Sequence, residues 1–111
     1  MNNWKEIKTE KDFYSIIEKS NERTQIIFKD STSCGISAHA KDNLVNGNDQ
    51  LIDKADFNYL DLLSYRSISN LIATELDVKH QSPQIIVLKN GVPLHTVTHH
   101  SIRPETIAEY L

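Results

Sequence analysis

A chain of 111 residues, 39% hydrophobic and 24% charged, has the make-up expected of one globular domain spanning residues 1–111 with a single core. Its net charge of −3 and its lack of basic clusters interleaved with aromatics argue against a nucleic-acid surface or a polybasic membrane patch. The one cysteine excludes an internal disulfide or a multi-thiolate zinc site; without a signal-like N-terminus or an apolar run near the roughly 20 residues of a membrane span, a reducing cytoplasm is the expected compartment.

Trp4 to Ile7 suits a short edge strand. Thr9 can cap a helix whose first turn is acidic, and Phe13, Ile16 and Ile17 give it one apolar stripe, running to about Ser20. Thr24 to Phe28 is β-branched and aromatic, the pattern of a buried strand. Ala38 to Leu44 reads as a helix, closed near Gly47 by a left-handed cap, and residues 49–56 as a polar connection with some helical character at Leu51 and Ile52. Phe57 to Leu63 alternates in a way that fits a strand. Ile68, Leu71, Ile72 and Leu76 mark a helix that Ser67 could cap.

Gln84 to Leu88 is another β-branched strand. Asn90-Gly91 suits a type I′ turn, and Pro93, which cannot donate to a ladder, puts the return strand at an edge. Ser101 to Leu111 reads as a last helix with Pro104 early in it. The order (β)αβα–βα–ββα predicts an α/β domain: a central mixed sheet of four to five strands flanked by helices, arranged in the thioredoxin-like way.

Cys34 falls between the apolar run ending at Phe28 and the helix starting near Ala38. Free backbone N–H groups and aligned peptide dipoles make a helix start electropositive, which favours thiolate over thiol. A fall in pKa from about 8.5 to about 7 would raise the thiolate fraction at pH 7.5 from roughly 10% to roughly 75%. Ser33, Gly35 and Ser37 are small and polar and suit a loop tip better than a core. Ser37 occupies the position where a second cysteine would resolve a mixed disulfide, and a hydroxyl cannot do so. A disulfide on Cys34 must therefore wait for an external thiol. Lys29 and Asp30 flank this loop; for Lys29 a solvated strand-end charge is expected.

The segment Phe28-Lys29-Asp30-Ser31-Thr32-Ser33-Cys34-Gly35-Ile36-Ser37-Ala38, with Ser82-Pro83-Gln84-Ile85-Ile86-Val87-Leu88-Lys89-Asn90-Gly91 about fifty residues later, resembles the monothiol bacilliredoxins of the YtxJ type. That resemblance implies a thioredoxin fold and thiol–disulfide exchange on mixed disulfides between proteins and bacillithiol, a low-molecular-weight thiol. It makes Cys34 the nucleophile and Ser33, Gly35, Ile36 and Ser37 its support. It also implies that Pro83 is cis, with Ser82 and Pro83 contacting substrate. Gly35 stands where the family's usual Thr-Cys-Pro-Ile-Ser has proline, leaving a less rigid loop with an extra N–H.

The expected co-substrate is bacillithiol, with no tightly bound cofactor and no metal. Expected partners are bacillithiolated client proteins and a low-molecular-weight thiol, and the expected state is a monomer. His39, His80, His95, His99 and His100 show no metal-ligand spacing and suit surface or helix-cap roles. Two other readings compete. Cys34-Gly35-Ile36-Ser37 is one residue away from the Cys-Gly-Phe-Ser of cluster-carrying monothiol glutaredoxins, though the lysine and Gly-Gly pair of that family are not evident. A redox-silent interaction module on the same fold is the third.

Overall fold

The computed structural model describes residues 4–31, 35, 38, 41, 42, 44, 54–99 and 102–111. Five strands, β1 (Trp4–Glu6), β2 (Gln25–Asp30), β3 (Asp56–Asp61), β4 (Gln84–Lys89) and β5 (Val92–Thr98), form one sheet in the order β1-β3-β2-β4-β5. β1 and β2 both run parallel to β3, and the β2–β4 and β4–β5 pairs are antiparallel. This is the mixed sheet that the alternation of strand-like and helix-like segments predicts. The passages from β1 to β2 and from β2 to β3 join strands of one direction, the passage through the helix after β3 returns the chain as β4 in the opposite direction, and the tight Asn90-Gly91 turn joins antiparallel neighbours.

The central strand β2 is buried along its whole length, which explains its unbroken apolar reading from Ile26 to Phe28. Ile26 and Phe28 point to one side, where they pack with Leu44, Phe57, Ile85, Val87, Ile102 and Ile107. Ile27 points to the other side, among Phe13, Ile16, Leu60, Ile68, Ile72 and Ile86. Helices α1 (Glu10–Lys19) and α2 (Arg66–Leu76) cover this second face. The first face is covered by Leu44, one of the helical residues Gly35, Ala38, Lys41, Asp42 and Leu44, and by α3 (Pro104–Ala108).

Local chemistry sets the ends of the elements. Thr9 accepts the Asp12 N–H at 3.1 Å while the Asp12 carboxylate accepts the Thr9 N–H at 3.2 Å, a reciprocal capping box that starts α1. Asn90 (φ 53°) and Gly91 (φ 75°) both take left-handed backbone, as a type I′ turn demands. This turn docks on the end of α1: the Asn90 N–H donates to the Ser20 carbonyl and the Gly91 N–H to the Ser20 hydroxyl oxygen, each at 2.8 Å. Pro93 lies in β5, an outer strand, and the β4–β5 register shifts between Val87 and Leu88.

Four expectations are corrected. β2 runs two residues past Phe28, because Lys29 and Asp30 still pair with Leu60 and Asp61 on β3. α2 begins at Arg66 with Tyr65 at its N-cap, not with Ser67 as the cap; Asp61 closes a turn through the Leu63 N–H and the Ser64 hydroxyl, so the chain is ready to coil earlier. α3 begins only at Pro104, since the residue before a proline is pushed out of the helical region and Arg103 is extended (φ −143°, ψ 149°). Lys29 is not a solvated strand-end charge: it is fully buried. Gly47, Leu51 and Ile52 lie outside the described residues.

Candidate active site

β2 and β4 are antiparallel neighbours, and Lys29 pairs with Gln84. The chain therefore leaves β2 through Asp30 and Ser31 at the same end of the sheet where Ser82 and Pro83 enter β4. This register brings Asp30 and Ser31 beside Ser82 and Pro83, about fifty residues later in the chain. The Ser82–Pro83 peptide bond is cis. Pro83 is buried and its carbonyl accepts the His99 N–H at 3.2 Å, tying β4's entry to the end of β5. Ser82 is half-buried, and its hydroxyl has no hydrogen-bond partner among the described residues.

Cys34, Ser33, Ile36 and Ser37 lie outside the described residues. Gly35 is helical and exposed, and a Cβ built on it meets nothing within 4 Å. The Cβ of the proline usual at this place in the family would thus find open space.

Beneath this end of the sheet are ionisable groups whose roles the sequence left open. On the first face Asp30 is 2% exposed and accepts the Tyr59 hydroxyl at 2.5 Å through Oδ2. Its Oδ1 has no partner among the described residues. Burial raises the Asp30 carboxyl above the usual carboxylate range, while the Tyr59 hydroxyl and the Lys41 charge pull it back. Burial and the carboxylate together push the Tyr59 phenol up. The Tyr59 ring packs edge-on against Phe28 and carries the Lys41 ammonium 4.9 Å above its centroid, a cation–π contact. Asp30, Ser31, Ala38 and Lys41 line a pocket of about 220 Å³.

On the second face the Lys29 ammonium donates to the Ser69 carbonyl at 3.0 Å and lies 3.4 Å from His80 Nδ1. The Ser69 hydroxyl lies 3.4 Å from the same nitrogen. Burial lowers the Lys29 pKa to about 8. Burial also lowers His80, with the Lys29 and Arg66 charges acting in the same direction. This cluster links α2 to the segment leading into Ser82 and Pro83. A charged residue closing an apolar strand reads as solvated on pattern alone. What could have flagged Lys29 and Asp30 is their place between two strands that flank them, a fact of topology. Tyr59 was visible as a strand residue but not as the partner of Asp30.

Among the described residues no group of three or more His, Cys, Asp or Glu is placed to hold a metal ion, and no helix is long and apolar enough to cross a membrane. The model of the monothiol bacilliredoxin BrxC family matches residues 5–107. The chain belongs to this family. Its structure is similar to one described as an oxidoreductase with a thioredoxin fold (28% identity, TM-score 0.84, covering 97% of this chain and 93% of that one). It also resembles oxidised thioredoxin O2 of Arabidopsis thaliana (19%, TM-score 0.75, 100% and 96%) and the thioredoxin of Malassezia sympodialis (19%, TM-score 0.74, 96% and 86%). The last two likenesses carry the fold. The bacilliredoxin membership carries the chemistry class: the protein is a thiol–disulfide oxidoreductase of thioredoxin-like fold.

Proposed function

We propose that the protein removes bacillithiol from mixed disulfides on client proteins, with Cys34 as the nucleophile. The observation that carries this reading is that a chain of a thiol-exchange family holds one cysteine, so the exchange has a single sulfur to run on. The Cys34 thiolate attacks the bacillithiol sulfur of the mixed disulfide. The client's sulfur leaves as a thiolate and takes a proton from water, and Cys34 carries the cap. A second bacillithiol thiolate then attacks the capped sulfur, releasing bacillithiol disulfide and restoring Cys34. Two electrons pass from bacillithiol to the client disulfide, so no bound cofactor is required, and bacillithiol is co-substrate.

The serine at position 37 leaves the capped state without an internal resolving thiol. Ser33, Gly35, Ile36 and Ser37 shape the loop around the sulfur. Ser82 and Pro83 enter β4 beside the departure of β2; in this reading they contact the client, and the Ser82 backbone pairs with its extended chain by strand addition. The working state is a monomer in the cytoplasm, where thiols stay reduced.

The test is incubation of the wild type and of Cys34→Ala with a bacillithiolated client protein, followed by mass spectrometry of the client. The wild type is expected to remove the cap and Cys34→Ala to leave it in place. Equal removal by both proteins would refute the reading.

A further inference from the structure

We propose that Lys29 is a positioning residue: acting through His80, its buried ammonium braces the segment that leads into Ser82 and Pro83. The inference rests on the exchange reading above, in which that segment meets the client, and it names the side chain that sets the segment's place.

The first observation is the cost of the residue. Lys29 is fully buried, and among the described residues no carboxylate pairs with it. A buried charge without a counter-charge opposes folding. A methionine would fill similar space without that penalty. Departures from local rules of this kind gather at functional sites. Burial lowers the amine to about 8, so at pH 7 it is still mainly an ammonium and a donor.

The second observation is what the ammonium holds. It donates to the Ser69 carbonyl at 3.0 Å and meets His80 Nδ1 at 3.4 Å, where the Ser69 hydroxyl also stands at 3.4 Å. An ammonium has donors only, so Nδ1 is the acceptor and the neutral ring carries its proton on Nε2. The end of β2, the start of α2 and the segment before β4 are thereby joined at one point. The His80 residue is exposed, and Lys29 and Ser69 are the hydrogen-bonding partners of its ring among the described residues. Ser82 follows two positions later. The Lys79 carbonyl accepts the Gln84 side-chain amide at 3.1 Å, and Gln84 is the strand partner of Lys29. The segment is thus closed on itself from 79 to 84, and His80 is where it is fastened to the rest of the fold. Holding a docking segment in its bound shape reduces the ordering cost of binding, so loss of the brace belongs in KM.

The test compares Lys29→Met, His80→Phe and His80→Asn with the wild type. Phenylalanine keeps a ring but offers no acceptor, whereas the asparagine carbonyl oxygen can take the place of Nδ1. Both His80 variants change an exposed residue, so the comparison between them does not depend on how Lys29→Met folds. With a bacillithiolated client, Lys29→Met and His80→Phe are expected to raise KM at least about fivefold with kcat within about twofold, the mark of lost binding rather than lost chemistry. His80→Asn is expected to stay within about twofold of the wild-type KM, since it keeps the acceptor. An unchanged KM in His80→Phe, or an equal rise in His80→Asn, overturns the brace. Backbone ¹⁵N relaxation of Gln81 and Ser82 reads the same brace without substrate: order parameters of about 0.85 are expected to fall toward about 0.6 in Lys29→Met and His80→Phe, and no fall overturns the proposal. A wild type that leaves the client capped overturns the exchange reading, while the relaxation result still decides the brace, so the two failures are distinct.

Discussion

Lys29 and Asp30 are neighbours on β2 that face opposite sides of the sheet, and both are held inside the protein at the end of the sheet where Ser82 and Pro83 enter β4. Each is poorly solvated, and each shifts toward its neutral form, as desolvation requires. For Lys29 the sign of the consequence is definite. The folded chain releases the ammonium proton near pH 8, against 10.5 for an ordinary lysine. Between these values the unfolded chain binds more protons, so stability rises with pH through that window. Below about pH 8 the charged amine opposes folding by roughly 3 kcal/mol. Lys29→Met, which fills similar space without the charge, is expected to be more stable than the wild type at pH 7, with the gap closing toward pH 10. Urea unfolding of both proteins at the two pH values checks this, and parallel shifts would contradict it. Burial acts on Asp30 in the opposite sense, since its raised pKa makes the folded state the better proton binder as pH falls toward 3.8.

The elements show which features are local and which are not. The capping box of α1 is written in Thr9 and Asp12, and the Asn90-Gly91 turn in its two residues; both could be read because every partner lies within a few positions. Replacing Thr9 with alanine is expected to lower stability by about 1 kcal/mol, seen as a drop in the urea midpoint at constant slope. α2 and α3 start where short-range rules compete. Tyr65 caps α2 without a side-chain bond because the Asp61 turn fixes the approach, and Pro104 excludes Arg103 from α3. The candidate site divides in the same way. The cysteine motif and Ser82-Pro83 were legible as motifs. The Asp30–Tyr59 bond and the Lys29–Ser69–His80 cluster were not, because each joins residues tens of positions apart through strand register and helix packing. No pattern of hydropathy encodes that Phe28 stands beside Tyr59, which is what brings the Tyr59 phenol to Asp30.

At the scale of the molecule, the sheet order brings the two loop-bearing ends of β2 and β4 side by side, and one cysteine serves the whole chain. A chain with one cysteine can form a disulfide only with another molecule. Oxidation with diamide in the absence of small thiols is therefore expected to give a dimer of the 12.7 kDa chain that dithiothreitol reverses and that Cys34→Ser never forms; non-reducing electrophoresis reads this directly. With bacillithiol present, the mixed disulfide should form instead and the dimer should be suppressed.

The outer strand β5 has a further consequence. A proline and a slip in register interrupt the row of amide donors that a neighbouring strand would need, although Val92 and Leu94 on the same strand are about half exposed. Copies of the protein are thereby discouraged from stacking edge to edge. A thiol–disulfide oxidoreductase gains from a flank on which its own kind finds no purchase.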